Sequence, residues 1–357
     1  MYVLLSGAKC NLGDFWIVER AVALLRALRP DRALEVVPGW EPLDEKSEAL
    51  QSARAVLIPG GPGYQPGFHP EVYPLVPDLQ RLPCPVVPIG VGWKGRGGRD
   101  RDVAAVRFSD ASLAALRWMD ERTEALGCRD PLTEQLLHRH GFANVEMVGC
   151  PVWYDLAHLG ESVDGEAPIE RIVFTPPESP LLADQAVAVA ERVARLWPDA
   201  ERIAAFHRGL ATTGPWIGEA DIAHHTGLSQ RLASLGYRSI DVTGSPEKAR
   251  FYADCSLHVG YRLHAHLDFA SRRQRTLLLE EDGRGAGASL GLALEGIPAF
   301  LPRTWWRRVH RADPGVPDRI EARLHRERDT GFAAYTTLGP TLDVHFETMR
   351  RFLLRLP

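Results

Sequence analysis

Short apolar runs alternate with helical periods along most of the chain. Residues 2–6 form an apolar run closed by Gly7, the turn Asn11-Leu12-Gly13-Asp14 follows, and residues 15–28 are amphipathic, which predicts strand, loop and helix in turn. The unit recurs at 53–58 ahead of Gly60-Gly61-Pro62-Gly63, at 85–91 ahead of Gly92, and at 125–128 ahead of a helix over 131–140. Apolar runs this short are typical of strands buried on both faces of a parallel sheet. Residues 144–148 complete this half, and the polar stretch 161–168 reads as a linker. A second cycle predicts strands at 171–175, 202–206, 238–242, 256–260 and 276–280, alternating with helices at 181–196, 216–235, 246–253, 264–271 and 285–294. After Pro302 the pattern lapses into Trp305-Trp306-Arg307-Arg308 and a charged stretch, before one more helix at 342–356. The pattern therefore predicts an α/β fold of two Rossmann-like domains, 1–163 and 164–300, facing across a cleft. An extension over 301–357 is expected to send its last helix back to the first domain.

Length agrees with that division, because single cores stop growing at about 250 to 300 residues and this chain has 357. A 45% hydrophobic and 25% charged composition is that of a folded globular protein. The net charge of -4 supplies no overall basic field, so no nucleic-acid partner is expected. Cys10, Cys84, Cys128, Cys150 and Cys255 are scattered with no C-x-x-C pair, and read as reduced core residues. The start MYVLLSG lacks a basic leader region, and no long apolar run follows, so the expectation is a cytoplasmic protein with no transmembrane segment.

Doubly wound sheets bind ligands at the carboxyl ends of their strands, so charged residues there are the candidates for chemistry. The densest cluster is Tyr261-Arg262-Leu263-His264-Ala265-His266, at the start of a predicted helix. Free N–H groups and the helix dipole favour an anion there, Arg262 offers a planar fork, and His264 a hydrogen bond or a proton. The alternative makes Arg262 a structural partner of Asp268 or Asp282. Arg129 ends a strand of the first half, and Asp130 before Pro131 is expected to cap the next helix, with Thr133 beside it. Asp14 either caps its helix or presents a carboxylate to the cleft. The Gly60–Gly63 loop lacks both G-x-G-x-x-G and the Walker lysine, which leaves backbone approach to a polar substrate as its use. His207 ends a strand of the second half. His224-His225 and the pair His138 and His140 have no convergent carboxylate or cysteine, so they are expected at the surface and no metal is assigned. Residues 44–46 and 319–328 read as solvated faces, and Trp305-Trp306 as core rather than an acceptor platform.

In their order, Asn11-x-Gly13-Asp14, Ile58-Pro59-Gly60-Gly61, Pro88-Ile89-Gly90-Val91-Gly92, Arg129-Asp130-x-x-Thr133 and Arg262-Leu263-His264-Ala265 resemble the polysaccharide pyruvyl transferase family. The resemblance implies a GT-B-like pair of domains. It also implies transfer of the pyruvyl group of phosphoenolpyruvate to a sugar or glycan precursor, usually as a cyclic ketal, with phosphate released and no further cofactor. It implies a donor side in the second domain, where Arg262, Leu263 and His264 hold the donor and Arg129 reaches it from the first domain; for the transfer on such a site, His264 is the expected acid. The first domain becomes the acceptor side, with Asp14 activating or orienting a hydroxyl; Asn11, Gly60, Gly61 and His207 complete the substrate contacts. The Gly- and Arg-rich loop 94–101 and residues 302–341 depart from the pattern, which points to a specialised acceptor side. Two other readings remain open: a GT-B glycosyltransferase using a nucleotide-sugar, and a catalytically silent sugar-binding homologue.

Overall fold

In the computed structural model, which describes all residues except 45, 96, 98, 99, 211–215 and 303–309, the first half is built on β1 (Tyr2–Ser6), β2 (Leu34–Pro38), β3 (Ala55–Pro59) and β4 (Val86–Ile89). All are parallel, in the order β2-β1-β3-β4. A parallel bridge from Val91 to Cys128 leads to a second pair, β5 (Leu126–Cys128) and β6 (Val145–Met147). Strands β3 and β4 are buried throughout, as their unbroken apolar sequences require, whereas β2 at the opposite edge is largely exposed. Its Leu-Glu-Val-Val-Pro sequence carries neither alternation nor a long apolar run, and the pattern passed over it. Helices α1 (Leu12–Leu28), α2 (Glu48–Ser52), α3 (Asp100–Ala104), α4 (Asp110–Asp120) and α5 (Pro131–Arg139) fall between the strands. Strand order reverses between β1 and β3, the crevice where sheets of this kind receive ligands.

The second half is more regular. Strands β7 (Arg171–Thr175), β8 (Glu201–Phe206), β9 (Tyr237–Asp241), β10 (Leu257–Gly260), β11 (Arg275–Glu280) and β12 (Ile297–Pro298) form one parallel sheet, ordered β12-β11-β10-β7-β8-β9. Counted from its own first strand this is the 3-2-1-4-5-6 order of the Rossmann sheet, with the reversal between β7 and β10. Helices α6 (Ala183–Leu196), α7 (Glu219–Ala233), α8 (Leu263–Ser271) and α9 (Gly283–Leu292) connect the strands, and residues 246–254 form a 3-10 segment rather than the expected α-helix. Every residue of α8 is buried, including His264, His266 and Asp268.

The segment expected as a solvated charged face is instead α10 (Val316–Asp329), whose Ile320 and Leu324 lie in the core beside buried Arg323 and Glu327. Those two are four residues apart on one helical face and pair at 2.5 Å, so the charge enters the interior already matched. Arg192 of α6 pairs with Asp318 and Glu321 at 3.0 and 3.3 Å. The last helix is α11 (Leu338–Leu354).

The chain divides into two units. The first comprises residues 1–8, 14–156 and 342–357, and the second residues 9–13 and 157–341. The division falls at Leu156 rather than at 163, and residues 301–341 join the second unit instead of a separate extension. Trp305-Trp306, Arg307, Arg308, Glu45 and part of the loop 94–101 lie outside the described residues. Among the described residues no helix is long and apolar enough to cross a membrane.

Candidate functional site

The strand reversal of the second unit carries a recess with an empty volume, open to solvent, of about 430 Å³. It is built from the turns after β10 and β11 together with the segment Asn11–Gly13. At the end of β7, Thr175 holds the neighbouring turn: its carbonyl accepts the Tyr261 N–H at 2.9 Å and its hydroxyl accepts the Arg262 N–H at 3.3 Å. Gly260 makes this possible, because a Cβ there would collide with Thr175. Arg262 thus sits at the N-cap of α8 with its guanidinium spread between two partners. Nη2 donates to Asn11 Oδ1 at 2.5 Å and Nη1 meets Glu178 Oε1 at 2.5 Å. The structural partners proposed for Arg262 are otherwise engaged, since Asp268 pairs with Arg272 at 3.1 Å and Asp282 with Arg284 at 2.7 Å.

Backbone bonds from Leu12 to His207 and from Gly244 to Cys10 tie the Asn11 turn to this unit. Gly13 has a definite reason to be glycine: a Cβ would collide with the His264 ring. His207, 3% exposed, lines the recess, and its Nε2 lies 2.8 Å from Tyr252 Oη. Burial first, and the Arg262 charge second, hold its pKa well below the usual histidine range. Burial pushes the Glu178 carboxyl up, but Arg262 and Arg208 outweigh it and hold the group down at about 2. Beneath the recess, His258 lies 2.8 Å from both Thr175 Oγ1 and Thr276 Oγ1, and His266 Nδ1 lies 2.8 Å from the same Thr276 hydroxyl. Both rings are kept neutral by burial.

In the first unit, Asp14 lies in the first turn of α1 and not at its cap, because the helix already begins at Leu12. Gly60 and Gly61 have φ of 52° and 75°, which glycine adopts without strain. A Cβ on Gly60 would also lie 2.8 Å from Ile17 Cγ2 of α1. Hydrogen bonds from Gly60 to Ile89 and from Gly92 to Gly61 bind the two glycine loops together. Arg129 is fully buried: Nε faces Asp130 Oδ2 at 3.3 Å, Nη2 donates to the Trp93 carbonyl at 3.3 Å, and Nη1 has no hydrogen-bond partner among the described residues. Gly92 leaves the space that this side chain fills. Asp130 caps α5, its Oδ1 accepting from the Thr133 N–H and hydroxyl at 2.9 Å each. Tyr73, not singled out in the sequence, reaches the Gly63 position; burial and then the Asp14 charge push its phenol up.

The polysaccharide pyruvyl transferase family model matches residues 11–267, beginning on Asn11 and ending just beyond Arg262-Leu263-His264. The chain belongs to the polysaccharide pyruvyl transferase family. No curated protein matches it in sequence. Among solved structures it is similar to S. aureus MnaA in a co-structure with UDP, at TM-score 0.52 and 11% identity, over 98% of this chain and 94% of that one. It is also similar to UDP-GlcNAc 2-epimerase from Neisseria meningitidis bound to UDP-GlcNAc, at TM-score 0.50 and 10% identity, over 98% and 100%. These likenesses show the fold, two Rossmann-like domains of the GT-B-like kind.

Within this member of the pyruvyl transferase family, the second unit brings Asn11, His207, Arg262, Leu263 and His264 to one recess. Asp14, Gly60, Gly61 and Arg129 belong to the first unit. Sequence reasoning missed Glu281, Asp282 and Arg284, which line the same recess from the end of β11. The rule applied to Arg262, charged residues at a strand's carboxyl end ahead of a helix, also describes them. His225 was expected at the surface and is buried, with Nδ1 2.6 Å from the Gly209 carbonyl. Among the described residues no three His, Cys, Asp or Glu side chains gather as metal ligands.

Proposed function

We propose that the chain transfers the pyruvyl group of phosphoenolpyruvate to a sugar of a glycan or glycoconjugate precursor, as a cyclic ketal, with phosphate released. The observation that supports this most is the meeting of Asn11, Arg262 and His264 at the start of α8, where the two ends of the family match converge. A small donor carrying carboxylate and phosphate suits that place. A guanidinium fork binds either group bidentately, and the first-turn N–H groups of α8, beginning at Leu263, add partial positive charge.

In this reading Arg262, Leu263, Asn11 and His207 surround the donor, and His264 supplies a hydrogen bond or a proton. In the first unit, Asp14 orients an acceptor hydroxyl, while Gly60 and Gly61 form the acceptor side. The cationic groups at the recess stabilise the phosphate as it departs.

Incubation with phosphoenolpyruvate and a panel of sugars, following phosphate release and acceptor mass, tests the reading. Phosphoenolpyruvate is expected to raise the melting temperature while nucleotide-sugars leave it unchanged. The reverse result would establish the nucleotide-sugar glycosyltransferase instead, and binding of sugar with no turnover of either donor the silent homologue.

A further inference from the structure

The recess of the second unit is lined by Glu280, Glu281 and Asp282, with Glu178 beside them on Arg262, and three of these four carboxylates are matched. Glu280 accepts the Ser289 hydroxyl at 2.6 Å. Glu178 pairs with Arg262 at 2.5 Å and faces Arg208 at 3.6 Å. Asp282 is gripped by Arg284 through contacts of 2.7 and 3.0 Å. Glu281 lines the same recess, yet among the described residues its carboxylate makes neither a hydrogen bond nor an ion pair. The charged groups facing it are Arg262 at the start of α8, Glu178 after β7, and Asp282 and Arg284 at the start of α9. Tyr261 lies beside it, and His207 and His264 line the same space. Burial, helped by Glu178 and Asp282 and opposed by Arg262 and Arg284, pushes Glu281 up to about 7. An anion entering the recess adds negative charge beside Glu281 and occupies the arginines, and both changes favour the protonated carboxyl.

We infer that Glu281, rather than His264, is the acid of the proposed transfer, and that it takes up its proton as the anionic donor binds. The inference rests on the phosphoenolpyruvate reading. The Glu281 proton passes to the methylene carbon, whose double-bond electrons form the new C–H bond and leave an oxocarbenium-like centre at the ester carbon. An acceptor hydroxyl oxygen bonds that carbon, and its proton restores the Glu281 acid. The carbon–oxygen bond to phosphate then breaks with its electron pair leaving on phosphate. The second hydroxyl closes the ketal and its proton goes to that phosphate. One hydroxyl proton ends on the new methyl group and one on phosphate, and Glu281 is unchanged.

Calorimetric titration of the full chain with phosphoenolpyruvate at about pH 8, in buffers of different ionisation enthalpy, tests this. The free carboxyl is there mostly ionised and donor binding should draw close to one proton from solvent. Glu281→Gln should bind the donor within about 3-fold of wild type, lose the proton uptake, and lose turnover by about 100-fold or more. Binding by the wild-type protein without uptake overturns the inference. So does uptake that persists in Glu281→Gln, or that vanishes in His264→Gln alone. If phosphoenolpyruvate does not bind, the proposed function fails separately. Sulfate then serves as the dianion: uptake by wild type and not by Glu281→Gln upholds the proton coupling, and its absence overturns it.

Discussion

Arg262 is held by a neutral amide on one side and a carboxylate on the other, so its fork is fixed before any ligand arrives. Such preorganisation reduces the ordering cost of binding. Truncating one member of a buried charge pair costs about 2 to 5 kcal/mol, or on the order of 30- to several thousand-fold in affinity. Arg262→Ala is therefore expected to weaken phosphoenolpyruvate binding by at least about 30-fold, read by calorimetry; an unchanged affinity would remove Arg262 from the donor site. At this scale much was legible: Arg262, His264, Arg129 and His207 all stand out as charged or polar residues where an apolar run stops. Glu178 did not, because it follows Pro176-Pro177 and precedes Ser179-Pro180, a context that reads only as loop. Its value to the site comes from Arg262, which lies far along the chain.

Elements explain why the first motif contains glycine. Gly13 lies in the first turn of α1, where alanine would ordinarily be the better helix former. The space that its missing side chain leaves is filled by the His264 ring from α8. Gly13→Ala is expected to leave the far-ultraviolet circular dichroism unchanged while displacing His264, lowering turnover by about 100-fold, the usual result of a 1 Å misplacement in an active site. Wild-type turnover in a folded Gly13→Ala protein would show that the contact has no part in catalysis. Element boundaries were mostly readable, because apolar runs end in Gly, Pro or charged residues. Two of the failures, β2 and α10, are an exposed edge strand and a helix that buries a matched Arg323–Glu327 pair, so in neither does hydrophobicity report position.

Across the whole molecule, the buried histidines set the acid limit of stability. His207, His258 and His266 are held below their ordinary value of 6.5, so below about that pH the unfolded chain binds more protons than the folded one and stability falls. Glu178, held at about 2 against 4.5, contributes stability that is present above 4.5 and lost as the pH falls through 2. Glu281 has the opposite sign: its raised pKa favours the folded state below 4.5, and that contribution disappears as the pH rises through 7. Urea unfolding is therefore expected to show stability falling in two stages on acidification, one beginning near pH 6.5 and one below 4.5. A profile flat from pH 7 to 5 would mean that the three imidazoles are not buried in neutral form.

From the order of residues alone it follows that the chain alternates strands and helices, that its sheets are parallel, and that certain charged residues fall where strands end. Those are properties of short segments, set by the period of apolar positions and by the residues that interrupt it. That β7 lies beside β10, that Asn11 meets Arg262 across 251 positions, and that Glu281 stands in the same recess with no hydrogen-bond or ion-pair partner among the described residues is set only in the assembled fold. Strand order and ion pairing depend on which segments bury each other's surfaces, and that is a property of the assembled sheet that no single stretch of the chain contains.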